Sequence, residues 1–171
     1  AAVSGPKSRE VIQKCVEDPT LIKNDKLPFM GFISTNLKGG IPCRIVRISF
    51  SGELGYEVYI VSDYANIMMD LLWKEIQKFD GCLYGLEALG ALRVEKGHVT
   101  GAELDGRVTI EDAGLGKMAS TKKSYIGSAM RKRGILDSED REQLVGFFPV
   151  NKNQTFDAGT IVCEKNNIKG F

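Results

Sequence analysis

The chain has 171 residues, 43% of them hydrophobic and 26% charged, which is enough apolar material to bury one sizeable core. Its 23 basic and 22 acidic residues nearly cancel, so no strong net field draws it to nucleic acid or to anionic lipid. No run approaches the ~20 apolar residues needed to span a bilayer, and the start, Ala1 to Gly5, lacks a basic stretch followed by an apolar one, so the expectation is a soluble, cytoplasmic protein.

In chain order, Gly5-Pro6-Lys7-Ser8 opens a helix with proline in its first turn, and Val11, Ile12, Cys15 and Val16 form its apolar stripe before Pro19 stops it. Leu27 to Met30 begins a second packed segment. Gly39-Gly40 then turns the chain into a strand from Cys43 to Phe50, and a second strand runs from Tyr56 to Val61. Between them Ser51 to Gly55 has the length of a hairpin connection. Met68, Leu71, Leu72, Ile76 and Phe79 recur at helical spacing, with Ser62 or Asp63 available as N-cap. Leu86, Leu89 and Leu92 repeat that pattern, and Gly97 stands where a left-handed cap is wanted. A third short helix is expected from Ser124 to Gly134, with Ile126, Ala129 and Met130 inward and Arg131-Lys132-Arg133 complementing its dipole. Residues 137–143 read as a charged loop. Leu144 to Val150 and Gly159 to Cys163 read as strands of a different, β-rich unit. The fold class is therefore α+β, with helices packed on a mostly antiparallel sheet, and the composition shift near residue 140 divides it into residues 1–140 and 141–171. Both ends look cut.

The options for chemistry are narrow. Cys15, Cys43, Cys82 and Cys163 form no C-x-x-C pair and read as buried thiols of a reducing compartment, with a disulfide framework as the alternative. The single histidine, His98, cannot support a histidine-rich metal site, no metal is expected, and its place after a cap glycine suggests a surface role. Gly114 to Lys117 lacks the spacing of a phosphate loop and reads as a turn, and Glu103 and Asp105 also read as turn residues. The informative carboxylate is Glu57. It alternates with Tyr59 and Val61 while Tyr56, Val58 and Ile60 take the other strand face, so both faces look partly buried and an ionised group there needs a partner. One partner is a flat heterocycle that stacks on Phe50 and gives two adjacent N–H groups to the carboxylate. The other is a salt bridge to Arg44, Arg47 or Arg93.

The stretch Arg47 to Glu57, RISFSGELGYE, resembles the R-x-x-Y-T-G-E-x-G-[FVY]-E signature of the glycine cleavage T protein (aminomethyltransferase) superfamily. Gly85 to Gly97 is similar to that family's G-L-x-A-R-D-x-L-R-L-E-A-G helix, and Thr109 to Gly116 to its T-P-x-E-A-G-L-G segment. Tyr125-Ile126-Gly127 and Gly5-Pro6-Lys7 fall where the family has F-I-G and Q-G-P-K. Within the superfamily, residues 87–98 and 103–107 most resemble the alpha subunits of heterotetrameric sarcosine oxidases.

The resemblance implies a tetrahydrofolate-binding region of an oxidoreductase acting on CH–NH groups. There the one-carbon unit from oxidative demethylation of sarcosine is captured as 5,10-methylenetetrahydrofolate. It also implies beta, gamma and delta subunits as partners, and FAD, FMN and NAD elsewhere in the complete enzyme but not on this chain. Carried over residue by residue, the pterin-binding glutamate falls on Glu57, its companion tyrosine on Phe50, and the folate-contacting arginine on Leu89. The catalytic aspartate is expected upstream of Ala1, which leaves this chain without a catalytic residue and inactive by itself. The resemblance further places the start of a small C-terminal β-barrel at 141–171. Two other readings stay open: a folate-independent scaffold or subunit-assembly module, favoured by Phe50 and Leu89, and a stand-alone glycine cleavage aminomethyltransferase.

Overall fold

The computed structural model describes every residue except 137, 139, 158, 166 and 171. These fall into two compact units, Ala1–His98 and Val99–Phe171, each described by itself. Elements of the first unit run β1 (Ala2–Ser4), α1 (Ser8–Cys15), β2 (Phe32–Leu37), β3 (Ile41–Val46), β4 (Gly55–Ile60), α2 (Ala65–Ile76) and α3 (Leu86–Lys96). The four strands form one sheet in the order β1-β4-β3-β2, every neighbouring pair antiparallel. Helices packed on an antiparallel sheet make this the expected α+β fold. No helix among the described residues is long and apolar enough to cross a membrane.

The core lies between one sheet face and the first two helices. The stripe of α1 is buried as its spacing requires, with Val11, Ile12 and Cys15 no more than 3% exposed. Tyr56 and Val58 of β4 and Ile45 of β3 meet it from the sheet, and Met68 and Leu72 from α2. Neither Ser62 nor Asp63 caps α2; a 3₁₀ turn over Ser62–Tyr64 leads into it instead. Gly97 closes α3 with φ 71°, as its position suggested. The inward face expected for that helix is absent. None of its residues is buried, and Leu86 is 87% exposed.

A cluster at the sheet margin shows how the segment after α1 is held. Arg9 and Arg47 both donate to Oδ1 of Asn24, at 2.5 and 3.0 Å, and Arg47 also reaches the carbonyl of Leu27 at 3.1 Å. Two cations thus share one neutral acceptor. Asn24→Asp is expected to stabilise the chain by up to about 1 kcal/mol, read as a higher denaturant midpoint with an unchanged slope, because a carboxylate there pairs with both guanidinium groups.

Three expectations about strands and loops need correction. The first hairpin strand does not continue to Phe50. It stops at Val46, because the backbone of Arg47 bonds to Gly31 and Met30 (2.9 Å each) rather than to β4. The connection is therefore a wide loop, residues 47–54, and not a tight turn. The carbonyl of Ile48 in that loop lies 2.7 Å from where a Cβ at position 55 would sit, so only glycine fits at Gly55. The helix expected over Ser124–Gly134 is also absent. Gly127 takes φ 88°, which breaks a right-handed run, and leaves one 3₁₀ turn at Met130–Lys132 with Ile126 fully exposed. Arg131 works as an ion-pair partner of Glu111 and donates to the Tyr125 hydroxyl at 2.6 Å, rather than complementing a helix dipole. Finally, 144–150 pairs with no strand among the described residues. The amide of Leu144 bonds to the carbonyl of Asp112 at 2.8 Å, and Phe148 is 95% exposed.

The second unit instead carries one two-stranded antiparallel ribbon, β5 (Val162–Glu164) with β6 (Asn167–Gly170), and no closed barrel among the described residues. The loop expected at 137–143 lies partly outside those residues. Gly114 has φ 72° and makes a turn, as read from its sequence, and Asp105 caps its own turn through the Arg107 amide at 2.8 Å. The unit's polar centre is Asp112. Its carboxylate accepts from Nε of Arg141 at 2.9 Å and from the Thr109 amide at 2.8 Å, while its own amide donates to Thr109 Oγ1 at 3.2 Å.

All four cysteines are free thiols, but only two are buried. Burial pushes Cys15 up to about 11 and raises Cys43, which makes both poor nucleophiles. Cys82 and Cys163 are exposed, because they lie on a loop and on a two-stranded ribbon rather than on a core face.

Candidate functional site

Where β3 leaves the ladder, the loop after it opens a hollow of about 230 Å³ in the first unit. One wall is a face of the sheet, with Ala2 and Ser4 of the edge strand β1 and Glu57 of its neighbour β4. Ile48 and Phe50 of the loop form the second, and Tyr84 and Leu89, just before and within α3, form the third. Glu57, Phe50 and Leu89, separated in sequence, thus face the same space.

The strand register explains what points there. Ala2 stands opposite Glu57, so the two share a sheet face, while Val3, Tyr56 and Val58 point to the opposite face and are buried. The partial burial expected on the Glu57 side of the strand holds for Glu57 itself but not for the residues that alternate with it: Tyr59 is 53% and Val61 60% exposed. Glu57 itself is half-buried.

Glu57 makes no ion pair among the described residues. Arg44 lies instead over the Phe32 ring, 5.5 Å from its centroid, Arg47 is held by Asn24 and Leu27, and Arg93 donates to the carbonyl of His98 at 3.4 Å. The carboxylate is engaged through Oε2, which accepts from the hydroxyl of Tyr59 two residues along the strand. That bond, together with the nearby negative charge, raises the Tyr59 hydroxyl above its ordinary range. Tyr59 was legible only as a neighbour on the same strand face. Its tie to Glu57 fixes one oxygen of a carboxylate that lines the hollow, so Tyr59→Phe is expected to weaken any ligand held by Glu57 by about threefold, measured as a dissociation constant.

Phe50 is 39% exposed and its ring meets the imidazole of His98 at 4.7 Å between centroids and 62° between planes. The contact arises because the end of α3 lies on the loop: the stem of Lys96 comes within 2.9 Å of the Cβ position at Gly52. His98 is exposed, as its place after Gly97 suggested, yet it also supports a wall of the hollow. Sequence spacing carries no signal for that pair.

An acceptor-only carboxylate, an aromatic ring and an aliphatic wall suit a flat, polar-edged ring system. The profile of the GCVT N-terminal domain matches residues 1–123, nearly three quarters of the chain and every residue of the hollow.

The chain belongs to the GCVT N-terminal domain family.

Within that family it is 40% identical to the sarcosine oxidase alpha subunit of Rhizobium meliloti over 167 residues, 96% of this chain and 17% of that protein. It is also 40% identical over 151 residues to the sarcosine oxidase alpha subunit of a Corynebacterium species, covering 88% of this chain and 16% of that subunit. An aminomethyltransferase of Halothermothrix orenii is 32% identical over 151 residues, 85% of this chain and 40% of that enzyme. The chain therefore spans about a sixth of the oxidase subunits it resembles.

Proposed function

We propose that this chain forms part of a tetrahydrofolate pocket of a sarcosine oxidase alpha subunit, with Glu57 holding the pterin edge and Phe50 packing against its face. The observation that carries the reading is the hollow bounded by Glu57, Phe50 and Leu89, in which the carboxylate has no guanidinium partner among the described residues. Such a carboxylate is stabilised by a ligand that presents two adjacent N–H donors, the pattern on one edge of a pterin. Tetrahydrofolate supplies the amines that accept the one-carbon unit released from sarcosine, giving 5,10-methylenetetrahydrofolate. Leu89 supplies no cation to the ligand, so recognition falls on the carboxylate and the stacking surface.

In this reading residues 1–140 belong to the folate-binding region and 141–171 begin a C-terminal barrel domain. The beta, gamma and delta subunits complete a cytoplasmic enzyme, FAD, FMN and NAD bind outside this chain, and the catalytic aspartate lies outside it as well. Thermal unfolding of the chain with and without tetrahydrofolate tests the reading, since a ligand bound only by the folded state raises the midpoint. A midpoint that ignores saturating tetrahydrofolate would instead support a folate-independent scaffold, the role that Phe50 and Leu89 favour.

A further inference from the structure

Glu57 and Phe50 leave one side of the hollow unassigned. That side carries two hydroxyls: Oη of Tyr84 donates to Oγ of Ser4 at 3.2 Å, and both residues line the space. Ser4 stands opposite Gly55 while Ala2 stands opposite Glu57, so Ser4 and Glu57 are diagonal neighbours on one sheet face, about 7 Å apart along the ladder. Tyr84 is brought there by the loop that ends α2, whose left-handed residue Asp80 and Gly81–Ile76 bond turn the chain back toward β1. With the Tyr84 proton placed on Ser4 Oγ, the proton of Ser4 itself has no acceptor among the described residues and is available as a donor to the hollow.

We infer that Ser4, oriented by Tyr84, is a second polar contact of the pocket and selects a ring carrying a carbonyl beside the N–H groups taken by Glu57. The inference rests on the folate reading above. A carboxylate only accepts, so it reads the two N–H donors of a 2-amino-4-oxopyrimidine edge and leaves the neighbouring carbonyl needing a donor. A buried carbonyl without one is costly, and the Ser4 hydroxyl supplies it. The Tyr84 bond polarises that hydroxyl and takes up one of its two lone pairs, which turns its proton toward the hollow and favours a carbonyl over an amino group at the same place. Tyr84 thereby offsets, from another wall of the hollow, the hydroxyl that Phe50 lacks.

The test compares tetrahydrofolate with a 2,4-diaminopteridine analogue, binding each by calorimetry to the wild-type chain and to Ser4→Ala, Tyr84→Phe and Glu57→Gln. The expected result is that Ser4→Ala and Tyr84→Phe each weaken tetrahydrofolate about five- to tenfold and leave the diamino analogue within about twofold, whereas Glu57→Gln weakens both. Either hydroxyl variant suffices, so a variant that fails to fold leaves the other to decide, with folding read from the unfolding midpoint. Unchanged tetrahydrofolate affinity in the hydroxyl variants, or equal loss for both ligands, overturns the inference while a loss in Glu57→Gln keeps the folate reading. Wild-type protein that binds neither ligand overturns both.

Discussion

Glu57→Gln is expected to raise the dissociation constant for tetrahydrofolate about 30- to 100-fold while leaving the unfolding midpoint of the free chain nearly unchanged. The substitution keeps the side chain's size and one oxygen able to accept from Tyr59, but removes the charge and replaces the second acceptor by an NH₂ donor. A charge-assisted bond is worth about 2–3 kcal/mol, and a donor facing the ligand's own N–H groups adds repulsion. Folding changes little because Glu57 makes no ion pair among the described residues and its half-buried side chain stands on the sheet face away from the core. Calorimetry of wild type and variant decides the matter: equal affinities would remove Glu57 from the pocket and leave the folate reading without its anchor.

The second large effect concerns stability. Asp112→Ala is expected to destabilise the second unit by about 2 kcal/mol at neutral pH, since it strips Arg141 and the Thr109 amide of their shared acceptor in a nearly buried site. The bonds from Arg141 and Thr109 hold the Asp112 carboxyl well below the usual carboxylate range, against the opposing effect of burial. A folded-state value below the unfolded one contributes stability that is fully present above the ordinary carboxylate range near pH 4 and is lost as pH falls through the folded value. The difference between wild type and Asp112→Ala should therefore shrink by about 1 kcal/mol between pH 7 and pH 3, because the unfolded wild type binds a proton there that the folded form still refuses. Urea titrations at the two pH values measure it. A difference that stays constant, or grows in acid, would mean that Asp112 is not held ionised by its partners.

The Thr109-to-Gly116 motif gains a physical account from the same contacts. Thr109 and Asp112 bond each other's amides reciprocally, a closed turn that needs a hydroxyl and a carboxylate three residues apart. Its sequence showed the pattern but not its anchor: Arg141 lies 29 residues on, and a long-range guanidinium leaves no periodic trace.

Periodicity alone was sufficient wherever burial is one-sided and local. The stripe of α1, the pattern of α2 and the left-handed cap at Gly97 follow from 3.6-residue spacing and from glycine's freedom, which act over a few residues. The same reasoning failed for 124–134 and 144–150, where apolar residues had the right spacing but the first meets a left-handed Gly127 and the second has no strand beside it, among the described residues, to complete a ladder. A strand is a statement about two segments, and one segment cannot make it. The motif around Arg47 to Glu57 marked the family and the carboxylate. Only the tertiary structure decided that β3 ends at Val46, because Arg47 bonds to the 28–31 turn, and that this early ending opens a hollow in which Glu57, Phe50, Leu89, Ser4 and Tyr84 meet. Residues 80 positions apart in the chain are joined there by hydrogen bonds and by the register of β1 on β4, and such contacts depend on the whole sheet rather than on any stretch of sequence.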